Sequence, residues 1–300
     1  MPDEFPENLF PLAQDRAALY AKHVARGLAR MRDRRVVIAG VVRNSIEVLP
    51  HTIERIESLA KLFGDYRVVV YENDSVDGTV ELLTAWTSNN PRVTACCDLL
   101  GTPAGPKVRS KTRGDQMADC RNWYHHYIAN WLADFDNVIV LDMDLQGGWS
   151  NDGIANTFGW DDWDFVGSNG LILQRARWKF NTWLQFDAWA FRRFGSFEPI
   201  RCREVNDYTW RRGEPMQSVY SCFGGLGVYR MPAFLAGRYG GGDCEHVQLH
   251  RGMRAAGFDR IFLNPSQLVF YGRKVRSLEQ VVRLYNRVRY SRTDVLLPAY

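Results

Sequence analysis

The sequence predicts an α/β protein built on a mostly parallel central β-sheet. In the first half of the chain, short apolar runs rich in Val and Ile alternate with longer amphipathic segments. The short runs are apolar at consecutive positions, which is typical of strands buried on both faces of a parallel sheet. The longer segments repeat their apolar residues at the spacing of one helix face. Regular alternation of such strands and helices indicates the α/β class.

Composition and charge exclude several classes of protein. Of the 300 residues, 46% are hydrophobic and 24% are charged, which rules out a disordered or fibrous chain. The apolar runs fall well short of the roughly 18 residues of a membrane-spanning helix, and the first residues lack the pattern of a signal peptide. We therefore expect a cytoplasmic protein. A net charge of +4 suits a phosphate-bearing small substrate but is too weak to indicate a nucleic acid partner.

The chain is predicted to open with two helices that flank a strand. The first helix covers residues 11–32, and the strand covers residues 35–42. An amphipathic helix then extends over residues 46–63. Pro50 belongs to its first turns, because a proline further along would break the helix. Residues 67–71 form the second predicted strand.

Two more strands complete the regular half of the sequence. A polar turn over residues 72–79 leads from the second strand into a helix, for which Asp77 is the predicted N-cap. The third strand covers residues 92–96. A long helix over residues 117–135 precedes the fourth strand, over residues 137–141.

The second half of the chain is less regular. Shorter strands and aromatic-rich loops follow residue 150, with a helix over residues 243–257 and extended structure over residues 261–265. We expect one α/β domain over residues 35–272. A helical segment over residues 1–34 precedes it, and a basic, amphipathic helical tail over residues 273–300 follows it.

The cysteines and histidines do not form a zinc motif. No two cysteines have the spacing of a zinc knuckle, so free buried thiols are expected. His246 and His250 are four residues apart, as in zinc peptidases, but Val247 stands where that motif requires Glu. A peptidase is therefore rejected. The six cysteines are Cys96, Cys97, Cys120, Cys202, Cys222 and Cys244.

Two carboxylates at the end of the fourth strand point to a metal ion. Asp142-Met143-Asp144 directly follows the apolar residues 138–141. Ligands of parallel α/β sheets bind beyond the carboxyl ends of the strands, and an acidic pair there requires a neutralising cation. Mg²⁺ and Mn²⁺ prefer oxygen ligands and complete their shells with substrate phosphates. Asp142 and Asp144 are therefore the predicted ligands of Mn²⁺ or Mg²⁺.

The order of several short motifs resembles one enzyme family. Asp-Met-Asp after a buried strand, with the acidic turn over residues 72–79 after an earlier one, resembles nucleotide-sugar glycosyltransferases of the A fold, which is Rossmann-like. Residues 118–122, 186–192, 219–225 and 244–246 extend the likeness to the fungal capsule-associated α-mannosyltransferases and their bacterial relatives. The resemblance spans about residues 35–272. Unlike members of that family, this chain is not expected to carry an N-terminal membrane anchor.

The resemblance implies a site for the nucleotide of the donor. Arginines suit a diphosphate because the guanidinium offers a planar set of donors, although each arginine could instead pair with a nearby aspartate. Glu72 could accept hydrogen bonds from the base or the ribose, or could stabilise its own turn. The implied nucleotide-binding residues are Arg43, Glu72, Asp74, Asp77, Arg113, Arg121 and Asp142.

The resemblance also implies catalytic and acceptor residues. Glu245, His246 and Asp187 are the implied catalytic set. Glu245 would deprotonate the acceptor in an inverting reaction, whereas in a retaining reaction the turn would anchor the acceptor, or His246 would complete the metal shell. Gly224 and Gly225 would let the acceptor approach the backbone closely, although a plain turn explains them equally well.

The expected function is metal-dependent sugar transfer in surface polysaccharide synthesis, with retention of configuration. The donor would be a GDP- or UDP-linked sugar, with mannose suggested by the family, and the acceptor a glycan or a lipid-linked saccharide. The basic tail would place the protein at the membrane surface through anionic lipid head groups. The alternatives are an inverting enzyme that uses Glu245 as its base and a non-catalytic module that binds sugar or nucleotide.

Overall fold

The computed structural model describes residues 5–101, 111–175 and 181–275. Its strands are β1 (Arg35–Val42), β2 (Asp65–Asn73), β3 (Val93–Asp98), β4 (Asn137–Asp142), β5 (Phe165–Arg175), β6 (Asn181–Gln185), β7 (Arg192–Arg193), β8 (Gln217–Ser221), β9 (Leu226–Arg230) and β10 (Ile261–Val275). Its helices are α1 (Ala17–Arg32), α2 (Leu49–Ala60), α3 (Thr79–Asn89), α4 (Lys111–Trp131), α5 (Asn151–Gly159), α6 (Cys202–Val205), α7 (Met231–Ala236) and α8 (Glu245–Ala255).

The ten strands of the described residues form a single mixed sheet in the order β3-β2-β1-β4-β9-β5-β10-β8-β7, with β6 paired to β5. Strands β1 to β4 are mutually parallel, and β5 and β10 are parallel to each other. Strands β6, β8 and β9 run against their neighbours. The prediction of an α/β protein with a mostly parallel central sheet is confirmed.

The strand order reverses direction at β1, and this positions the site. The chain steps outward from β1 to β2 and β3, then returns to place β4 on the other side of β1. The carboxyl ends of β1 and β4 lie side by side at this reversal, and ligands of open α/β sheets bind in the crevice outside such carboxyl ends.

The sheet is buried on both faces because alternate residues of its central strands enter different cores. Val37 and Ala39 of β1 pack with α4, α7 and α8. Val36 and Ile38 pack with α2, α3 and α5 on the opposite face. Continuous apolar runs, rather than alternating ones, are the sequence that such a sheet requires.

The N-terminal helix α1 packs against α5 at very short range. A Cβ on Gly27 would lie 1.7 Å from the Ala155 carbonyl oxygen, and a Cβ on Gly159 would lie 2.1 Å from the His23 carbonyl oxygen. The two glycines thus allow the helices to cross in backbone contact. Arg26 donates hydrogen bonds to the Gly159 carbonyl across this crossing.

The elements of the first half follow the sequence-based expectations closely. β1 has the predicted bounds, and Pro50 lies at the start of α2. The long helix differs in position, because α4 begins at Lys111 and ends at Trp131. β10 continues to Val275, and the predicted tail beyond it lies outside the described residues.

The prediction that Asp77 is the N-cap of α3 is wrong. The N-cap is Gly78, whose φ of 93° is left-handed and favours glycine. Asp77 lies one residue earlier, where its Oδ1 accepts from the Thr79 backbone N–H and its Oδ2 accepts from the Ile46 N–H. The carboxylate therefore links two turns instead of capping one helix.

All six cysteines are free thiols, as expected. Burial was predicted too broadly, because only Cys222 and Cys244 are buried and Cys97 is exposed. Among the helices that the structure describes, none combines the length and apolar character needed to span a bilayer.

Candidate active site

The predicted metal pair lies at the carboxyl end of β4, beside the crevice. Asp142 is the last residue of β4 and pairs in register with Val41 of β1. Its backbone N–H donates to the Gly225 carbonyl oxygen at 2.9 Å, so the β8–β9 turn lies directly against it. The Asp142 side chain is 21% exposed, whereas Asp144 is exposed. Both carboxylates can therefore be reached from solvent.

The Asp142 carboxylate is bound by a buried arginine. Arg121 of α4 is 2% exposed and donates through Nη2 to Asp142 Oδ1 at 2.9 Å and through Nε to Glu245 Oε1 at 3.0 Å. Its Nη1 donates to the Tyr124 hydroxyl at 3.2 Å. The guanidinium also lies 5.3 Å from the centre of the Phe223 ring. These contacts join β4, α4 and α8 through one buried cation.

The guanidinium of Arg121 can be buried because the carboxylates of Asp142 and Glu245 pair with it. A charge removed from water is tolerated only when it is paired and its hydrogen bonds are satisfied. Arg121 was predicted to contact a diphosphate, and the structure places it with two protein carboxylates. Glu245, the implied catalytic base, is 5% exposed and occupied by this ion pair.

The electrostatics of Asp142 favour a bound cation. Burial raises its pKa to about 6, the neighbouring Asp144 and Glu245 carboxylates act in the same direction, and Arg121 opposes them. Within the described part of the chain, Asp142 Oδ2 has no hydrogen-bond partner. A divalent cation would relieve the repulsion between the two aspartates and occupy this oxygen.

The donor set fits a hard divalent ion. Mg²⁺ and ions like it are held by one or two carboxylates and otherwise by water and substrate phosphates. Asp142 and Asp144 supply two such carboxylates at an open edge of the sheet. Over residues 5–101, 111–175 and 181–275, no cluster of three or more His, Cys, Asp or Glu side chains suits a metal. The role of His246 as a third ligand thus stays a prediction.

The turns after β1 and β2 are interlocked at the same edge of the sheet. Asn44, with a left-handed φ of 48°, accepts from the Val76 N–H and donates from its backbone to Ser75 Oγ. Glu72 is 1% exposed and its Oε1 accepts from the Ser75 N–H at 2.7 Å. That bond is the one expected of a residue that stabilises its own turn.

Arg43 and Asp74, two implied nucleotide contacts, lie together. Arg43 Nη1 is 3.9 Å from Asp74 Oδ2. Asp74 has a left-handed φ of 57°, and its Oδ1 accepts from the Gly101 N–H at 2.8 Å. The positive charge of Arg113, in the first turn of α4, opposes the rise in the pKa of Tyr271.

Asp187 and Gly224 lie beside Phe223 around a small cavity. Asp187, Phe223 and Gly224 line a cavity of about 10 Å³, which is room for one water. Gly224 has a φ of 68°, and a Cβ there would lie 2.2 Å from the Ser168 carbonyl oxygen. The fold itself therefore requires glycine at this position, as in the plain-turn alternative.

His246 is buried against Phe223. It is 1% exposed, and its ring stacks on Phe223 with centroids 3.7 Å apart. Burial lowers its pKa well below the ordinary range, and the positive charge of Arg121 adds to the effect, so the ring is neutral. Neither ring nitrogen has a hydrogen-bond partner among the described residues. Its Nε2 lies 3.7 Å from Glu245 Oε1.

Tyr271 was not predicted from the sequence, although it contacts Asp144 of the predicted metal-binding pair. Its hydroxyl donates to Asp144 Oδ2 at 3.2 Å. Burial and the Asp144 carboxylate raise the pKa of Tyr271, so the hydroxyl keeps its proton at neutral pH. The two residues are 127 positions apart, and no local pattern marks a tyrosine in the last strand as part of the site.

Comparison with known proteins gave structural matches alone. No protein-family model and no curated protein sequence matches the chain. A mannosyltransferase from Pyrobaculum calidifontis, solved with GDP-mannose and Mn²⁺, is 14% identical, with a TM-score of 0.48 over 85% of this chain and 67% of that one. Glucosyl-3-phosphoglycerate synthase from Mycobacterium tuberculosis, solved with Mn²⁺, UDP and phosphoglyceric acid, is 14% identical, with a TM-score of 0.43 over 89% and 80%. GalNAc-T7, solved with UDP, GalNAc and Mn²⁺, is 11% identical, with a TM-score of 0.44 over 82% and 45%. At these scores and identities the matches assign no activity to this chain.

Proposed function

We propose that this protein is a metal-dependent glycosyltransferase of the A fold that uses a nucleoside-diphosphate sugar as donor. The observation that carries the proposal is the open Asp142/Asp144 pair at the reversal of strand order, with Asp142 bound to the buried Arg121. A carboxylate pair in this position fits a cation that is shared with the phosphates of a ligand.

Different residues of the crevice would bind different parts of the donor. Asp142 and Asp144 would hold Mn²⁺ or Mg²⁺. When bound, the ion would neutralise the charge that develops on the departing diphosphate. Arg43, Asp74 and Asp77 belong to the turns after β1 and β2, and Glu72 lies near the carboxyl end of β2. These four residues would face the nucleoside, and Arg113 would contact the diphosphate.

The burial of Glu245 bears on the stereochemistry. A general base must reach the acceptor hydroxyl, but the Glu245 carboxylate is 5% exposed and paired with Arg121. This favours transfer with retention over an inverting reaction that uses Glu245. Asp187, beside the small cavity on Phe223, is then the better candidate for contact with the sugars, and the Gly224-Gly225 turn would border the acceptor.

The finer assignment rests on the family resemblance of the sequence. It suggests mannose as the sugar, GDP or UDP as the nucleotide, and a glycan or lipid-linked saccharide as the acceptor in surface or capsule polysaccharide synthesis. Cytoplasmic location with peripheral membrane contact through the basic tail belongs to the same proposal.

A donor panel tests the proposal. The protein would be incubated with GDP- and UDP-linked sugars, with Mn²⁺ or with EDTA, and release of nucleoside diphosphate would be measured. Asp144→Asn should lower turnover by about two orders of magnitude, because one electrostatic stabiliser of the transition state is removed. The matched control is Asp134→Asn, since Asp134 is an exposed aspartate near the opposite end of β4.

Two results would contradict the proposal. Full turnover in EDTA, or undiminished turnover of Asp144→Asn, would remove the metal pair from the mechanism. Mn²⁺-dependent binding of a donor without any release of nucleoside diphosphate, even with acceptors present, would favour the non-catalytic module.

A further inference from the structure

We propose that Tyr271 is a positioning residue that holds the Asp144 carboxylate in place for the metal ion. This inference rests on the proposed function, because it concerns the same Asp142/Asp144 pair. Tyr271 does not itself touch the ion or the donor in this account. It acts through Asp144.

The side chain and the backbone of Tyr271 both form hydrogen bonds to residues 144–147. The hydroxyl donates to Asp144 Oδ2 at 3.2 Å. The Tyr271 carbonyl oxygen accepts from the backbone N–H groups of Gln146, at 2.9 Å, and Gly147, at 3.4 Å. One residue of β10 therefore fixes both the carboxylate and the main chain that follows it.

These hydrogen bonds depend on close contact between β10 and this turn. A Cβ on Gly147 would lie 2.3 Å from the Phe270 ring, and a Cβ on Gly272 would lie 2.5 Å from Gln146 Oε1. Gly272 also has a φ of 141°, which favours glycine. Glycines on both sides of the contact thus allow Tyr271 to come within hydrogen-bond reach of Asp144.

The ring of Tyr271 is itself held in place. It stacks on Phe186 with centroids 4.5 Å apart and an interplanar angle of 24°. Phe186 is anchored by its backbone N–H, which donates to the Gly170 carbonyl oxygen of β5 at 2.8 Å. A hydroxyl on a ring fixed in this way is a rigid donor, and it arrives from the strand that neighbours β5.

Such a donor matters because Asp144 is exposed. An exposed aspartate outside a strand or helix samples several rotamers, and binding an ion requires that one of them be selected. A hydrogen bond to one carboxylate oxygen orients the ligand before the ion arrives. Removing partners of this kind weakens metal binding or activity by about 10- to 100-fold in other sites.

The test is the Mn²⁺ affinity of Tyr271→Phe without nucleotide or donor. The substitution removes the hydroxyl and leaves the stack on Phe186 and the backbone bonds intact. Free Mn²⁺ would be measured by electron paramagnetic resonance, and the melting temperature by calorimetry. Tyr66→Phe is the matched control, because Tyr66 donates to the Glu57 carboxylate at 2.9 Å near the amino end of β2, away from the metal pair.

We expect the dissociation constant for Mn²⁺ to rise about tenfold or more in Tyr271→Phe and to stay at the wild-type value in Tyr66→Phe. Wild-type Mn²⁺ affinity in Tyr271→Phe would overturn the positioning role and leave the proposed function standing. A wild-type protein that binds no Mn²⁺ would overturn both. A lower melting temperature of Tyr271→Phe with unchanged Mn²⁺ affinity would show a purely structural tyrosine and also refute the inference.

Discussion

Glu245→Gln separates two roles of Glu245, that of general base and that of partner to the buried Arg121. In the structure this carboxylate is 5% exposed and accepts from Arg121, which is 2% exposed, at 3.0 Å. The amide keeps the shape of the side chain but removes one of the two carboxylates that pair with Arg121. If Glu245 serves chiefly to support Arg121, the main consequence should be a loss of stability.

The size of that loss follows from the burial of the pair. Removing one partner of a buried ion pair costs about 3–5 kcal/mol. Arg121 keeps its bond to Asp142 at 2.9 Å, so we expect a value near the lower limit, about 3 kcal/mol. In a protein of this size that corresponds to a fall of about 6 °C in melting temperature.

Urea unfolding and calorimetry would measure the effect against a matched control. Arg193 and Glu204 form a pair of similar length, 3.1 Å, whose side chains are 50% and 37% exposed. Glu204→Gln should therefore cost less than about 1 kcal/mol.

The result that would refute this reasoning is equal stability of the two Gln variants. In that case the ion pair between Glu245 and Arg121 does not contribute to stability. A loss of turnover in Glu245→Gln that shrinks as pH rises, at full stability, would instead restore the general base and the inverting reaction.

Three further outcomes are expected. Glu72→Ala should weaken binding of GDP or UDP about tenfold in calorimetry, and an unchanged affinity for both would leave Glu72 as the acceptor of the Ser75 N–H alone. Burial lowers the pKa of His250 to about 3, so the unfolded chain binds its proton first. Unfolding free energy should therefore fall between pH 7 and pH 5 by about 2 kcal/mol more in the wild type than in His250→Gln, and equal falls would refute a neutral His250. Gly224→Ala should cost about 3 kcal/mol or more, whereas Gly195→Ala, with a φ of 90° but open space around it, should cost about 1 kcal/mol; equal losses would contradict the close approach at Gly224.

The regular half of the fold was predictable because its strands are buried on both faces. Continuous Val and Ile runs have few other uses in a soluble protein, so the bounds of β1 and the parallel sheet followed from the sequence. The position of Asp142 and Asp144 followed too, because polar residues at the carboxyl end of a buried strand meet the crevice of such a sheet.

The contacts around that pair were not predictable, because they join distant segments. Arg121 and Glu245 are 124 positions apart, and the sequence does not show which carboxylate a buried arginine will select. The path of the chain through β9, β5 and β10 was equally hidden, since short strands in aromatic-rich loops carry no clear period. Tyr271 reaches Asp144 only because β10 runs beside the turn that follows Asp144.

The most direct test of the central claim is the Mn²⁺ dependence of nucleoside diphosphate binding. Calorimetry would compare GDP and UDP with the wild type, Asp144→Asn and Asp134→Asn, each with Mn²⁺ and with EDTA. We expect Mn²⁺ to tighten binding of at least one nucleotide by about tenfold or more in the wild type and in Asp134→Asn, and to have no effect in Asp144→Asn. Equal Mn²⁺ dependence in all three proteins, or none in any of them, would contradict a metal site at Asp142 and Asp144.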